Sequence, residues 1–140
     1  MVKFVKTDGG KGDYRCTVED CAIRAVAIAL DIPFEETDRR HRYTRGRSGR
    51  EIPFEETDRR GRSGREINRR FVGDVMDANG WEWFPSTAKM SELPSGTILV
   101  RSIEHYAVFK DGVLYDAYDC TEKGERRICE YWRNDEKNNR

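Results

Sequence analysis

Residues 18–30, VEDCAIRAVAIAL, carry only one charged side chain after their first turn, Arg24. Ala22, Ala25, Val26 and Ala29 would line one face of a helix, and Ile23, Ala27, Ile28 and Leu30 fill the others. A helix that is apolar on nearly every side belongs at the centre of a fold. Thr17 followed by Asp20 forms a capping-box-like start, so the spacing predicts a helix over 18–30. The rest of the chain is far more polar: of 140 residues, 36% are apolar and 37% charged. A chain of this length buries only about 65–70% of its unfolded surface, enough for one modest core in one domain. That core is expected to be built around this helix.

The next segment repeats itself. IPFEETDRR occupies 32–40 and again 52–60, and GRSGRE occupies 46–51 and again 61–66. Five additional residues, His41 to Arg45, separate the halves of the first copy. Agreement of this length indicates a tandem duplication (32–51 and 52–66), and two copies are too few for a solenoid. Pro33 favours a helix start, with a short amphipathic helix over 34–41 and its counterpart over 54–60. GRSGR reads as a turn in both copies. The whole of 32–66 therefore reads as an exposed insertion outside the functional chemistry. A second firm helix is expected over 66–79, with Ile67, Phe71, Val72, Val75 and Met76 on one side and Gly80 as its stop.

The period then changes. Trp81, Trp83 and Phe84 suggest a short aromatic strand whose rings pack on the sheet. Strands are expected over 97–101, 105–110 and 113–118, with Asp111-Gly112 as the hairpin turn, and over 127–132. Residues 133–140 contain no apolar side chain and read as a disordered charged tail behind a single domain of 1–132. Helices followed by strands give an α+β class, a central N-terminal helix packed on a C-terminal antiparallel sheet.

Three residues in this frame carry chemistry. Cys21 lies in the first turn of the buried helix, where open backbone N–H groups favour an anion such as a thiolate. His105 opens a strand, and Asp116 stands across the hairpin on the next one. Thiol, imidazole and carboxylate supply a nucleophile, a base and a group that orients the base. Asp119 competes with Asp116 but has the opposite strand parity.

DCAIRAVAIAL followed by HYAVFKDGVLYDAYD resembles the papain-like cysteine peptidases of compact bacterial and phage type, including those that clip double-glycine leaders from bacteriocins. The resemblance covers about a quarter of the chain. It implies a papain-like fold and a thiol-dependent amide hydrolase or acyltransferase, a cysteine peptidase acting on a peptide or protein. The implied roles are Cys21 as nucleophile, His105 as base and Asp116 as orienter. The family's glutamine ahead of the cysteine is missing, since the chain contains no Gln. Arg15, six residues before Cys21, or a backbone N–H would take the oxyanion role. No metal or organic cofactor is required by such chemistry.

Two other readings stand beside this one. The missing glutamine suits an inactive phage accessory protein that keeps the fold and binds a host protein. The arginines of the duplicated region (Arg39, Arg40, Arg42, Arg45, Arg47, Arg59, Arg60 and Arg62) would suit a phosphate backbone. Against that, nine acids lie within 31–70, and 26 basic residues balance 26 acidic ones over the chain. The net charge of zero excludes nucleic-acid binding by bulk positive charge, and a salt-bridged helix face is the simpler expectation. Cys16, Cys120 and Cys129 lack the close spacing of a zinc knuckle, so no metal site is expected. No apolar run is long enough to span a membrane, and MVKFVKTDGG has no secretory apolar segment. Reduced thiols in a cytoplasmic protein follow, in the host cytoplasm if the chain is phage-encoded.

Overall fold

The computed structural model describes residues 3–12, 20–47, 62–103, 105–117 and 126–134, with side chains omitted at 45–47 and 62–66. It is a mixed α+β fold. Strand β1 (Lys3–Lys6) comes first, followed by helices α1 (Cys21–Leu30), α2 (Phe34–Arg47) and α3 (Arg62–Ala78). Strands β2 (Glu82–Pro85), β3 (Thr97–Arg101), β4 (Tyr106–Lys110), β5 (Val113–Asp116) and β6 (Glu130–Arg133) complete it, with a single 3-10 turn at Met90–Glu92. The six strands form one sheet in the order β1-β5-β4-β3-β6-β2.

Local chemistry accounts for most boundaries. Asp111 and Gly112 both have positive φ, 51° and 82°, as a two-residue hairpin turn between β4 and β5 requires. Asp111 also ties the turn to the start of β3, its carboxylate accepting from the Gly96 N–H at 2.8 Å. Helix α1 ends where Asp31 turns left-handed and Ile32 N–H bonds the Ala27 carbonyl. Gly80, at φ 81°, ends α3 in the same way, with Trp81 N–H on the Met76 carbonyl.

The core is split by the sheet. On one side Ala22, Ala25, Val26 and Ala29 of α1 meet Phe71, Val72 and Met76 of α3 over Leu99, Tyr106, Val108 and Trp132. On the other, Ile98, Val100, Ala107, Phe109 and Leu114 pack with Met90 and Ile128. Burying each such large side chain is worth about 1.5–3 kcal/mol, so α1 is held chiefly by its apolar surround.

Four expectations require correction. The sheet is neither purely antiparallel nor confined to the C-terminal half: β1 pairs with β5 in parallel, Phe4 opposite Leu114. Four residues, KFVK, are enough to extend a sheet edge yet too few for an alternation signal. Helix α2 runs to Arg47 rather than ending near 41, because HRYTR contains no breaker. The second GRSGR does not form a turn; residues 62–65 form the first turn of α3. Finally, 32–66 is not an exposed insertion as a whole. Phe34, Thr37, Asp38, His41 and Thr44 of the first copy are buried, so α2 belongs to the helical layer. The second copy at 52–60, the cap residue Thr17 and the tail 135–140 lie outside the described residues.

Candidate active site at the first turn of α1

Cys21 is the first residue of α1, half-buried against the helix-side core. The cap residue, Asp20, makes no side-chain hydrogen bond to the first-turn amides. Its carboxylate turns instead to Lys11 Nζ at 2.6 Å and to an Arg24 guanidinium nitrogen at 2.7 Å. The backbone N–H groups beside Cys21 are therefore not capped by Asp20, and the positive end of the helix remains directed at that position.

His105 stands immediately before β4. Its carbonyl accepts from the Ser102 N–H at 2.9 Å and from the Ser102 hydroxyl at 3.4 Å, so the short turn out of β3 fixes its backbone. Its imidazole Nε2 lies 2.5 Å from Asp116 Oδ2. Asp116 is 1% exposed. Its other oxygen accepts from the Ala117 N–H at 2.8 Å, and the Arg24 guanidinium stands 3.7 Å away. The Thr7 N–H bonds the Asp116 carbonyl, so β1 braces the end of β5. An ionised carboxylate can only accept, so Nε2 must donate, and the lone pair of the neutral ring falls on Nδ1. The structure thus joins His105 to Asp116 and links that carboxylate through Arg24 to the start of the Cys21 helix. Among the described residues it forms no hydrogen bond between Cys21 and His105. Asp119 and Arg15 lie outside the described residues, as do Cys16 and Cys120.

The other histidine has a different task. Expected within an exposed insertion, His41 is 2% exposed within α2, 2.8 Å from Asn68 Oδ1 and edge-on to Phe71. The arginines near it are paired along the same helix. Arg39 meets Glu35 at 4.0 Å, Arg40 meets Glu36 at 3.3 Å and Arg42 meets Asp38 at 2.8 Å, each four residues apart. Only the helical backbone is described for Arg45, Arg47 and Arg62, and Arg59 and Arg60 lie outside the described residues.

A second polar cluster escaped the sequence reading. Glu130, 5% exposed in β6, accepts from the Trp83 indole N–H at 2.6 Å and from Arg101, with Arg69 at 3.7 Å. Burial works most strongly against the charge on Arg101, but the hydrogen bond and charge attraction of Glu130, with smaller attractions from Tyr106 and Cys129, together outweigh it and hold its proton more tightly than usual. Glu130, Trp83 and Arg69 border a groove of about 890 Å³ between α3, β2 and β6, in which Trp83 remains 52% exposed. Trp81, expected to pack on the sheet, is buried, and Phe84 stacks on Tyr131. Between the groove and Cys21 lies Tyr106, 4% exposed, its hydroxyl without a hydrogen-bond partner. Burial pushes its phenol well above the ordinary range; nearby Glu130 and Cys21 add to this, and Arg101 opposes it. No sequence pattern announces Glu130, because its partners come from β2, β3 and α3.

Among the described residues no group of three or more His, Cys, Asp or Glu is arranged to hold a metal ion. None of their helices is long and apolar enough to cross a membrane. No family model, curated protein or solved structure matches the chain.

Proposed function

We propose that the chain is a thiol-dependent amide hydrolase, a cysteine peptidase of the papain-like kind, with Cys21 as nucleophile, His105 as base and Asp116 as its orienter. The observation that carries this reading is the His105 Nε2 to Asp116 Oδ2 bond of 2.5 Å, tied through Arg24 to the helix that begins with Cys21. Carboxylate on Nε2 presents Nδ1 as the basic nitrogen, the arrangement a neighbouring thiol needs.

In this reading the Cys21 thiol passes its proton to His105 Nδ1 and the thiolate attacks the substrate carbonyl carbon. The tetrahedral oxyanion is held by a backbone N–H of the first turn of α1, with Arg15 the other candidate donor. The intermediate collapses, the C–N bond breaks, and the imidazolium gives its proton to the departing amine. Water, deprotonated by His105, then attacks the thioester, releasing a carboxylic acid and restoring the thiol. The internal pairing of Arg39, Arg40 and Arg42 supplies no comparable support for a nucleic-acid reading.

Thiol mapping tests the proposal. Iodoacetamide near pH 6 should label Cys21 before Cys16, Cys120 and Cys129, as read by mass spectrometry, and His105→Ala should slow that labelling at least tenfold. Labelling of Cys21 no faster than Cys129 in the folded protein, with the smallest alkylating reagents as well, would remove the activated nucleophile.

A further inference from the structure

Arg24 is the one charged side chain of α1, and it is 9% exposed among the buried neighbours Ala22, Ile23, Ala25 and Val26. An apolar residue would fill such a place without leaving a polar atom unsatisfied, whereas Arg24 Nε is buried with no hydrogen-bond partner. The remaining guanidinium nitrogens form a fork. One meets Asp20 at the cap of α1 at 2.7 Å; the other faces Asp116 at 3.7 Å, whose second oxygen holds His105. Lys11 closes the outer end on Asp20. The result is an alternating chain, Lys11–Asp20–Arg24–Asp116–His105, linking the segment before α1, α1 itself, β5 and the start of β4. Gly9 seals it: a Cβ there would stand 3.0 Å from Arg24 Cγ, at a φ of 70°.

We infer that Arg24 is a positioning residue, which locks the cap of the Cys21 helix to the carboxylate that orients His105. The inference rests on the roles proposed above for Cys21, His105 and Asp116. The charged and titratable groups linked to the fork are Lys11 and Asp20 from the segment before α1, Asp116 from β5 and His105 from the start of β4, with Cys21 one turn back along α1. A cation at this point competes with a protonated imidazole for Asp116 and stands one turn along the helix from the Cys21 thiol. Its loss moves both titrations in one direction, to higher pH.

The test is the rate of Cys21 alkylation by iodoacetamide between pH 5 and 9 in the full chain, with Arg24→Gln and Arg24→Lys beside it. For Arg24→Gln the curve should move up by about half a pH unit or more, a roughly threefold or greater loss of rate at pH 6. Arg24→Lys, which keeps the charge but not the two-armed fork, should lose rate while leaving the pH position of the curve unmoved. An Arg24→Gln curve that only drops in height, or an equal shift in both variants, overturns the inference. If Arg24→Gln loses cooperative melting, Asp20→Asn takes its place. That change removes the anion on the other arm of the fork and should move the curve to lower pH; an unmoved or raised curve overturns the inference equally. Should Cys21 prove unreactive in the native chain, the proposed hydrolase fails separately, and Arg24 is judged on His105 alone. In a Cys21→Ala background the His105 imidazole resonance should still titrate at higher pH with Arg24→Gln than without it, and an unchanged titration refutes the positioning role.

Discussion

Deleting residues 46–60 should leave a folded protein of nearly native stability. The product is the same chain that deletion of 52–66 would give, because GRSGRE ends both copies. It keeps the whole buried face of α2, Phe34, Thr37, Asp38, His41 and Thr44, and α3 from Ile67 onward. Six residues, GRSGRE, must then bridge Arg45 and Ile67. His41 touches Asn68, one residue past that junction, so the two helix axes lie about 8–10 Å apart there. Six residues reach roughly 20 Å when extended, more than enough. At present fourteen residues, 48–61, separate α2 from α3. Closure cost grows as about 1.5RT ln n, so the shortening changes stability by under about 1 kcal/mol, or roughly 3 °C in Tm for a domain of this size. The opposite deletion, of 32–51, supplies the contrast: its helix lacks His41, with the bond to Asn68 and the edge contact on Phe71. That loss should cost about 3 kcal/mol, roughly 10 °C. Thermal melts followed by circular dichroism and calorimetry distinguish the two. A fall of more than about 10 °C on deleting 46–60, or loss of cooperative unfolding, would refute the argument by placing the second copy in the core.

Two further outcomes follow from single residues. Asp116→Ala should lower stability by about 3 kcal/mol, some 10 °C in a thermal melt, because it removes a buried anion from His105, Arg24 and the Ala117 N–H at once; a change under about 3 °C would mean that the cluster contributes little to folding. Asp8 accepts from the Gly12 and Gly10 N–H groups, which hold its carboxyl below the ordinary 3.8, so it stabilises the fold above about pH 4 and ceases to as pH falls through the lowered value. Asp8→Ala should accordingly melt earlier than the native chain at pH 7 and together with it near pH 2, and a gap that persists in acid would contradict that cause.

Elements governed by local chemistry were legible, and those governed by distant partners were not. Helix α1 is visible because ten residues with one charge leave no other conformation in which so much apolar surface is buried. The hairpin is visible because Asp111-Gly112 supplies both positive φ values. Strand β1 was not, since its partner in β5 stands over a hundred residues away in sequence and four residues carry no period of their own. The first copy of the repeat misled for a different reason. Phe34, Thr37, Asp38, His41 and Thr44 recur at helical spacing, yet most are polar, and a face of this composition reads as solvated until Asn68 and Phe71 are seen against it. IPFEETDRR recurs unchanged in the second copy, so these nine residues do not mark the first copy as packed; the five residues from His41 to Arg45 belong to the first copy alone, and one of them is the buried histidine.

That distinction bears directly on the candidate site. The sequence holds two histidines, and the reading of 32–66 as an exposed insertion set His41 aside from the chemistry, whereas the structure buries it. The assignment nevertheless gains a better premise. His41 is enclosed between α2 and α3, its Nε2 on Asn68 and its ring against Phe71. His105 sits at a sheet end with Nε2 on a buried carboxylate, and that carboxylate is shared with a guanidinium rooted one turn along from Cys21. The bond to Asp116 commits the donor nitrogen of His105 to an anion. In the proposed hydrolase His105 is therefore the imidazole that would serve the thiol, and Cys21 joins the same polar chain through Asp20 and Arg24, whereas Cys129 lies on the stretch that leads into β6.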